Sequence, residues 1–466
     1  MSQPSTSSNT MGPFALGLTI LLPSLGTSIA NVALPTLRTA FSAAQTDVQW
    51  VVLAYLLSVT TMIVGVGRLG DIFGRRRLLL SGIAVFALAS IAAVFSPSLW
   101  LLVSARAVQG LGAAAMMSLA VASVSDMMPK DRVGTAMGLL GTISAIGTAL
   151  GPSLGGALVA WIGWQAVFVA MAVLAAITFA VATLALPGTV QQERRSGSFD
   201  IAGMVLLAMA LGGYALLATM GASGIGVLSI GLAAGSALAF VAFLAVERRA
   251  SSPLLQLRLL TQGDLGANLL ALTLVSTIMM ATLVVGPFYL TGGLELSPIE
   301  AGLVMSIGPG VAATVGLPAG RLVDAYGAGK AMVTGLLGVV VGTALLAILP
   351  TVLGTPGYGT GLIFTTAGYA LFQAANNTSA MSGVPSERKG VTSALLGLAR
   401  NLGLITGASA MGAIFSVASS GMQFARLNAG SETGLVVTFA VAFLLAVVAL
   451  AAVSHVVWHS VETKVS

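Results

Sequence analysis

Fourteen times the chain runs for about twenty positions or more with almost no charge, at roughly 12–33, 48–69, 78–96, 99–124, 134–160, 163–186, 200–221, 225–246, 266–291, 299–320, 330–349, 357–384, 390–418 and 433–458. That is the length a helix needs to cross hydrocarbon, about 20 residues. The breaks between runs are turn-like: "SPS" at 96–98, "MPKDR" at 128–132, "LGTPG" at 353–357 and "VPSERKG" at 384–390. A segment inside a bilayer must satisfy its own backbone, so only helices and closed barrels can span it. A barrel would show alternating segments of about ten residues, and none is visible. The pattern predicts an all-α integral membrane protein with fourteen transmembrane helices.

Composition agrees. Hydrophobic residues make up 57% of the 466 and charged residues 7%, against about 25% charged in a soluble domain. There is no cysteine, which excludes disulfides, thiol catalysis and cysteine-ligated metal. Both histidines, His455 and His459, lie near the C-terminus, so neither a metal site nor a resident cofactor is expected. The formal charge of +6 is scattered between apolar runs, which argues against nucleic acid and for membrane orientation. No P-loop, HExxH or nucleophile motif points to an enzyme. The loops and tails are too short for a non-transporting sensor or scaffold. Residues 1–11 lack the basic start of a signal peptide and read as a disordered cytoplasmic tail.

Cytoplasmic loops of membrane proteins collect Lys and Arg. With the N-terminus inside, fifteen of the 20 Lys and Arg fall in inside segments, two (Arg38 and Arg426) fall outside, and three (Arg68, Arg106 and Arg400) fall within spans. Both termini are therefore expected in the cytoplasm. Arg outnumbers Lys sixteen to four, which hints at a GC-rich bacterium and its inner membrane.

The chain also repeats itself. "GRLGDIFGRRR" from Gly67 resembles "GRLVDAYGAGK" from Gly320, 253 positions later. Gly147 and Gly151 align with Gly403 and Gly407, 256 positions later. Two six-span halves alone would need an offset near 190 residues, and the excess of about 65 matches one helical hairpin with its loops. The expected organisation is a six-helix bundle at 12–186, an inserted hairpin (spans 7 and 8) at 187–262, a second six-helix bundle at 263–458 and a cytoplasmic tail at 459–466. Parallel repeats of this kind place a substrate site at their interface.

The densest charge cluster, 68–77, is the turn between spans 2 and 3. Arginines hold such a loop inside, but that does not account for the spacing of Gly67, Gly70 and Gly74, or for a second copy of Gly-Arg-Leu, Asp and Gly. Glycines let helix ends approach closely, and Asp71 could then meet an arginine or a helix N-terminus. We read Gly67, Arg68, Gly70, Asp71, Gly74, Arg75 and Arg76, with Arg321 and Asp324 of the second copy, as a gating latch.

These residues resemble the span 2–3 signature of the major facilitator superfamily. "RAVQGLGAAAM" at 106–116 resembles its helix-4 arginine motif, and "GTALGPSLGG" at 147–156 its helix-5 antiporter motif. Fourteen spans with an inserted hairpin, "NVALPTL" at 31–37 and "ARNLG" at 399–403 are similar to its fourteen-helix drug:proton antiporter branch. The resemblance implies the major-facilitator fold, a small-molecule substrate, the proton as coupling ion and a monomer in the lipid bilayer.

Arg106 is the costliest residue to bury, at about 2.5–3.5 kcal/mol on insertion scales, and should face a polar cavity. The resemblance favours tuning of a proton site over substrate anchoring. Gln109 shares its helix face; Arg400 and Asn401 are also deep. In span 5, Pro152 with Gly147, Gly151, Gly155 and Gly156 predicts a bend at the bundle interface. The resemblance further implies that spans 1, 4, 9 and 12 line the path. They carry Asn31, Met116, Met117, Met279, Met280, Phe288, Tyr289, Phe372, Gln373, Asn376 and Asn377.

One position departs from the branch. Where its first helix carries an aspartate, "LGTSIANVALP" at 25–35 has Gly26. None of the fourteen acids is expected near the midplane. Two readings stay open: a proton-coupled exporter of amphipathic drugs or metabolites, and an exporter or exchanger of anionic or neutral metabolites anchored by Arg106.

Overall fold

The computed structural model describes residues 11–127, 133–186, 201–220, 227–249, 265–382, 389–420 and 429–465. They form helices only: α1 (Met11–Ala40), the short α2 (Gln45–Val48), α3 (Trp50–Phe73), α4 (Arg75–Val94), α5 (Leu99–Met127), α6 (Val133–Trp161), α7 (Gln165–Ala185), α8 (Ile201–Met220), α9 (Val227–Arg249), α10 (Leu265–Gly292), α11 (Pro298–Tyr326), α12 (Ala328–Leu353), α13 (Thr355–Met381), α14 (Lys389–Thr406), α15 (Gly412–Ser420) and α16 (Ala429–Val465). A π-helical segment, Gly407–Met411, joins α14 to α15. Among the described residues, twelve helices are long and apolar enough to cross a membrane. Two of the fourteen runs are not in that set. In α6 only Ile146–Trp161 qualifies as an apolar stretch. The 27 residues of α13 are diluted by Gln373, Asn376, Asn377 and several Thr and Gly. At the C-terminus, α16 continues to Val465 rather than ending at 458.

Many large apolar side chains lie outward, Leu88, Leu184, Leu238 and Leu444 among them. A chain in lipid has no reason to bury them, so small residues set the contacts between helices instead. α1, α3, α4, α5, α6 and α7 pack as one bundle, and α10 to α16 as a second. They meet along α6 and α11, α1 and α10, and α3 and α14. α8 and α9 pack on each other, with the Ser236 hydroxyl donating to the Ala210 carbonyl at 2.6 Å. α8 lies on the seam, against α3 and the π segment.

The repeat holds residue by residue. Gly147 and Gly151 of α6 pack on Leu21, Ser24, Ser28 and Ile29 of α1. Gly403 and Gly407 pack on Thr273, Ser276, Met280 and Ala281 of α10, each 252 positions after its α1 counterpart. The glycine that ends the repeated charged motif has φ +89° at Gly74 and +82° at Gly327. Each closes one helix and starts the next through a backbone shape that side chains resist.

Candidate functional site: a buried arginine beside a glycine-lined seam

Arg106 sits on α5, seven residues after Leu99, and is fully buried. Its guanidinium is closed inside the N-terminal bundle by groups from α1, α3 and α5. Nε donates to the Val51 carbonyl at 2.9 Å, Nη2 to the Gly26 carbonyl at 3.0 Å, and Nη1 to Gln109 Oε1. The Tyr55 ring lies 4.2 Å below the guanidinium carbon, and the Tyr55 hydroxyl donates to the Pro23 carbonyl at 2.8 Å. Every acceptor is neutral. The charge is held by carbonyl dipoles and a ring face, an arrangement worth about 2 kcal/mol for the ring alone when desolvated.

Gln109 extends the network. Its Nε2 donates to Ser90 Oγ at 2.6 Å, and Ser90 donates to the Phe86 carbonyl at 2.7 Å. A polar chain thus runs from α1 through α5 to α4. Gly26 belongs to it. A Cβ there would lie 2.9 Å from the Met171 methyl and 3.1 Å from the Tyr55 oxygen. The position where a carboxylate was expected is instead a backbone acceptor for the arginine, hemmed in by two side chains.

The glycines of α6 divide into two faces. Gly147, Gly151 and Gly155, spaced by four, face α1: a Cβ at Gly147 would lie 2.6 Å from the Leu21 carbonyl oxygen, and one at Gly155 2.8 Å from that of Ile29. Gly156 faces the other bundle, where a Cβ would lie 2.5 Å from the Pro298 oxygen and 3.1 Å from Gly302 Cα. Reciprocally, a Cβ on Gly302 would lie 2.6 Å from the Pro152 carbonyl oxygen. One helix therefore touches its own bundle and the opposite one backbone to backbone. Pro152 carries no N–H, which leaves the α6 ladder softer at the crossing.

In the charged turn, a Cβ on Gly70 would lie 2.6 Å from Leu119 of α5. Arg76 donates to the Thr183 and Leu186 carbonyls at 2.8 and 3.1 Å, which caps the C-terminal end of α7. Arg75 is half-buried, and Arg321 and Asp324 are exposed. Gly67 lies within α3, and the side chains of Arg68 and Asp71 lie outside the described set. Asn31, Met116, Phe288, Tyr289, Phe372 and Asn376 are buried; Met117, Gln373, Arg400 and Asn401 are half-buried, and Asn377 is exposed. The Asn31 amide nitrogen turns back to the Thr27 and Ser28 carbonyls, and the Tyr289 hydroxyl donates to the Pro350 carbonyl. None of these shares a hydrogen bond with Arg106. Among the described residues no three His, Asp or Glu gather as a metal site.

Sequence reading missed Tyr55, Ser90 and Met171, whose residue types carry no signal in an apolar run. It also did not foresee that Glu247, near the C-terminal end of α9, is buried, at 3% exposure. The π segment and the Tyr214 hydroxyl that donates to Thr406 Oγ1 at 3.0 Å at its edge leave no sequence mark either.

Residues 16–408 match the Major Facilitator Superfamily. The chain is 30% identical over 413 residues to the multidrug resistance protein Stp of Mycobacterium tuberculosis, covering 86% of this chain and 75% of that protein. It is 31% identical over 410 residues to the tetracenomycin C resistance and export protein of Streptomyces glaucescens, with 86% and 75% covered. In structure it is similar to a bacterial homologue of the human lysosomal transporter Spinster in an inward-facing, unoccupied conformation, with TM-score 0.70, 16% identity, and 97% and 98% of the two chains covered.

Proposed function

The chain belongs to the Major Facilitator Superfamily, and on that premise we propose that it is a secondary active exporter. It moves amphipathic drugs or metabolites out of a bacterial cytoplasm by alternating access, driven by inward proton movement. One observation carries the alternating-access reading: at Gly156 and Gly302, α6 meets α11 of the other bundle backbone to backbone. Such a contact has no long side chains to disentangle, so it can part and re-form as two bundles rock. The export direction and the cargo class rest on the relatives named for drug resistance and export.

The finer assignments belong to the same proposal. Fourteen spans are supported by the lengths of α6 and α13, 29 and 27 residues, and by their packing inside the two bundles. The α8–α9 pair is then the insertion between them, and the antiporter branch of the family follows. Both termini lie in the cytoplasm on the charge distribution, so the C-terminal end of α6 faces out. Neutral or anionic cargo is favoured over polycationic cargo, because the buried charge beside α1 is a guanidinium bonded to neutral acceptors.

The test is flux in proteoliposomes. An amphipathic dye should be pumped against its gradient when protons are allowed to run the opposite way, and pumping should stop when a protonophore collapses the gradient. Dye movement indifferent to the proton gradient removes the coupling. No movement of dyes of any charge class removes the export reading.

A further inference from the structure

At the end of the seam where α6 meets α11, a second cross-bundle contact is of the opposite character. Gln49 stands between α2 and α3, fully buried. Its amide lies flat on Gly412, the first residue of α15 after the π segment, so that a Cβ on Gly412 would overlap it. Neither Nε2 nor Oε1 has a hydrogen-bond partner among the described residues. Burying an amide with both polar atoms unmet is unfavourable by the desolvation of each. Closure at this point therefore works against itself. The π segment supplies the other half of the arrangement. An extra residue per turn weakens the helix ladder, and here the widened turn ends on Gly412, the residue under the amide.

We propose that Gln49 is a gating residue whose unmet amide makes the closed state of this end metastable. When the bundles part here, the amide returns to water and the strain on closure is lost. When they close, packing around it must overcome that cost. The transporter is thereby kept from locking shut, which matters for a carrier that must present its pocket to both sides. This rests on the alternating-access reading above.

The chain has no cysteine, so two introduced cysteines are the sole thiols. Thr39→Cys on α1 and Thr351→Cys on α12 are exposed at this end. Spin labels there report its opening as a distance distribution in lipid nanodiscs. The parent should show a short and a long population. Gln49→Leu keeps the bulk and removes the polar mismatch, and it should raise the short-to-long ratio by about tenfold, as expected from the cost of unmet polar groups. Gly412→Ala should shift the ratio toward long, because the added methyl collides with the amide. Gln49→Ala in the Gly412→Ala background makes room for the methyl and should restore the short population, which general destabilisation would not do. Two populations in the parent that Gln49→Leu leaves unmoved overturn the role of Gln49 while sparing alternating access. A single population in every variant overturns both.

Discussion

In the N-terminal bundle, Gly82 and Gly112 bring α4 and α5 into backbone contact; in the C-terminal bundle, Gly335 and Gly368 do the same for α12 and α13, 253 and 256 positions later. The frames match, and the interiors do not. The position of Arg106 is held by Leu362, that of Gln109 by Thr365, and that of Ser90 by Thr343. Leu362 is buried among apolar neighbours. Thr365 and Thr343 spend their hydroxyls on their own helices, at the Gly361 and Val339 carbonyls. Where the first bundle links α1, α3, α4 and α5 through one polar chain, the second closes the hydroxyls at these aligned positions within their own helices. A duplicated scaffold has thus kept its packing glycines in both copies and placed a buried charge in one.

The strongest way to break this comparison is to exchange the two interiors. Leu362→Arg puts a guanidinium among the apolar side chains that surround Leu362. A charge at mid-bilayer costs about 2.5–3.5 kcal/mol even on the milder scales, so the variant should fail to accumulate in the membrane. Arg106→Leu should do less harm to folding and more to function. The protein should insert, melt at a lower temperature and lose at least about tenfold in flux, since about 1.4 kcal/mol of lost coupling corresponds to that factor. Expression by membrane fractionation, melting in detergent and proteoliposome flux separate the two. A well-expressed Leu362→Arg protein with normal flux would mean that the second bundle also tolerates charge and that the asymmetry is incidental.

The shared frame was legible in the sequence because it depends on residues that stand out. Gly74 and Gly327 repeat within matching motifs, and Gly147 and Gly151 repeat as Gly403 and Gly407. Close helix contact leaves few alternatives to glycine, so its spacing survives as a readable pattern. The arginine was legible as an anomaly, since nothing else in its span is charged. Its surroundings were not. Two of its acceptors, the carbonyls of Gly26 and Val51, are backbone atoms that every residue owns. The expectation of a cavity around Arg106 followed from its cost in lipid. Part of that cost is met by carbonyl dipoles brought from α1 and α3, which sequence spacing cannot display. Gln49 and the π segment were hidden for a related reason: their meaning lies in what faces them across the seam.

A milder exchange concerns how each seam helix is softened. Pro152 of α6 aligns with Ala408, which lies within the π segment after α14. One copy loses a backbone donor and the other gains a residue in its turn, two routes to a weakened ladder. Pro152→Ala should let α6 regularise. Removing a helix-interior proline, which costs up to about 3 kcal/mol in soluble hosts, should raise the melting temperature while slowing turnover severalfold. Faster turnover, or no thermal gain, would show that the proline is there for its shape against Gly302 and not for softness.

The smallest effect is expected where the two halves are most alike. Gly74 and Gly327 have φ of +89° and +82° with extended ψ of 124° and 152°, and a side chain held in such a sparsely populated region costs of order 1–3 kcal/mol. Gly74→Ala and Gly327→Ala should therefore lower thermal stability by similar amounts. Their surroundings differ in one respect. Beside Gly74, Arg76 reaches across to cap α7 at the Thr183 and Leu186 carbonyls, whereas the aligned residue in the second half is Gly329, which has no side chain to do so. A twist at Gly74 should thus be passed on to α7, and through Met171 of that helix to Gln109, whose amide lies 3.9 Å from the Met171 sulfur. A twist at Gly327 should stay local. We expect equal losses in melting temperature but a larger loss of flux for Gly74→Ala. Removing the tether with Arg76→Ala should bring the two variants level. If flux falls equally in both from the outset, the Arg76 cap is a packing detail, and the charged turn acts alike in the two halves.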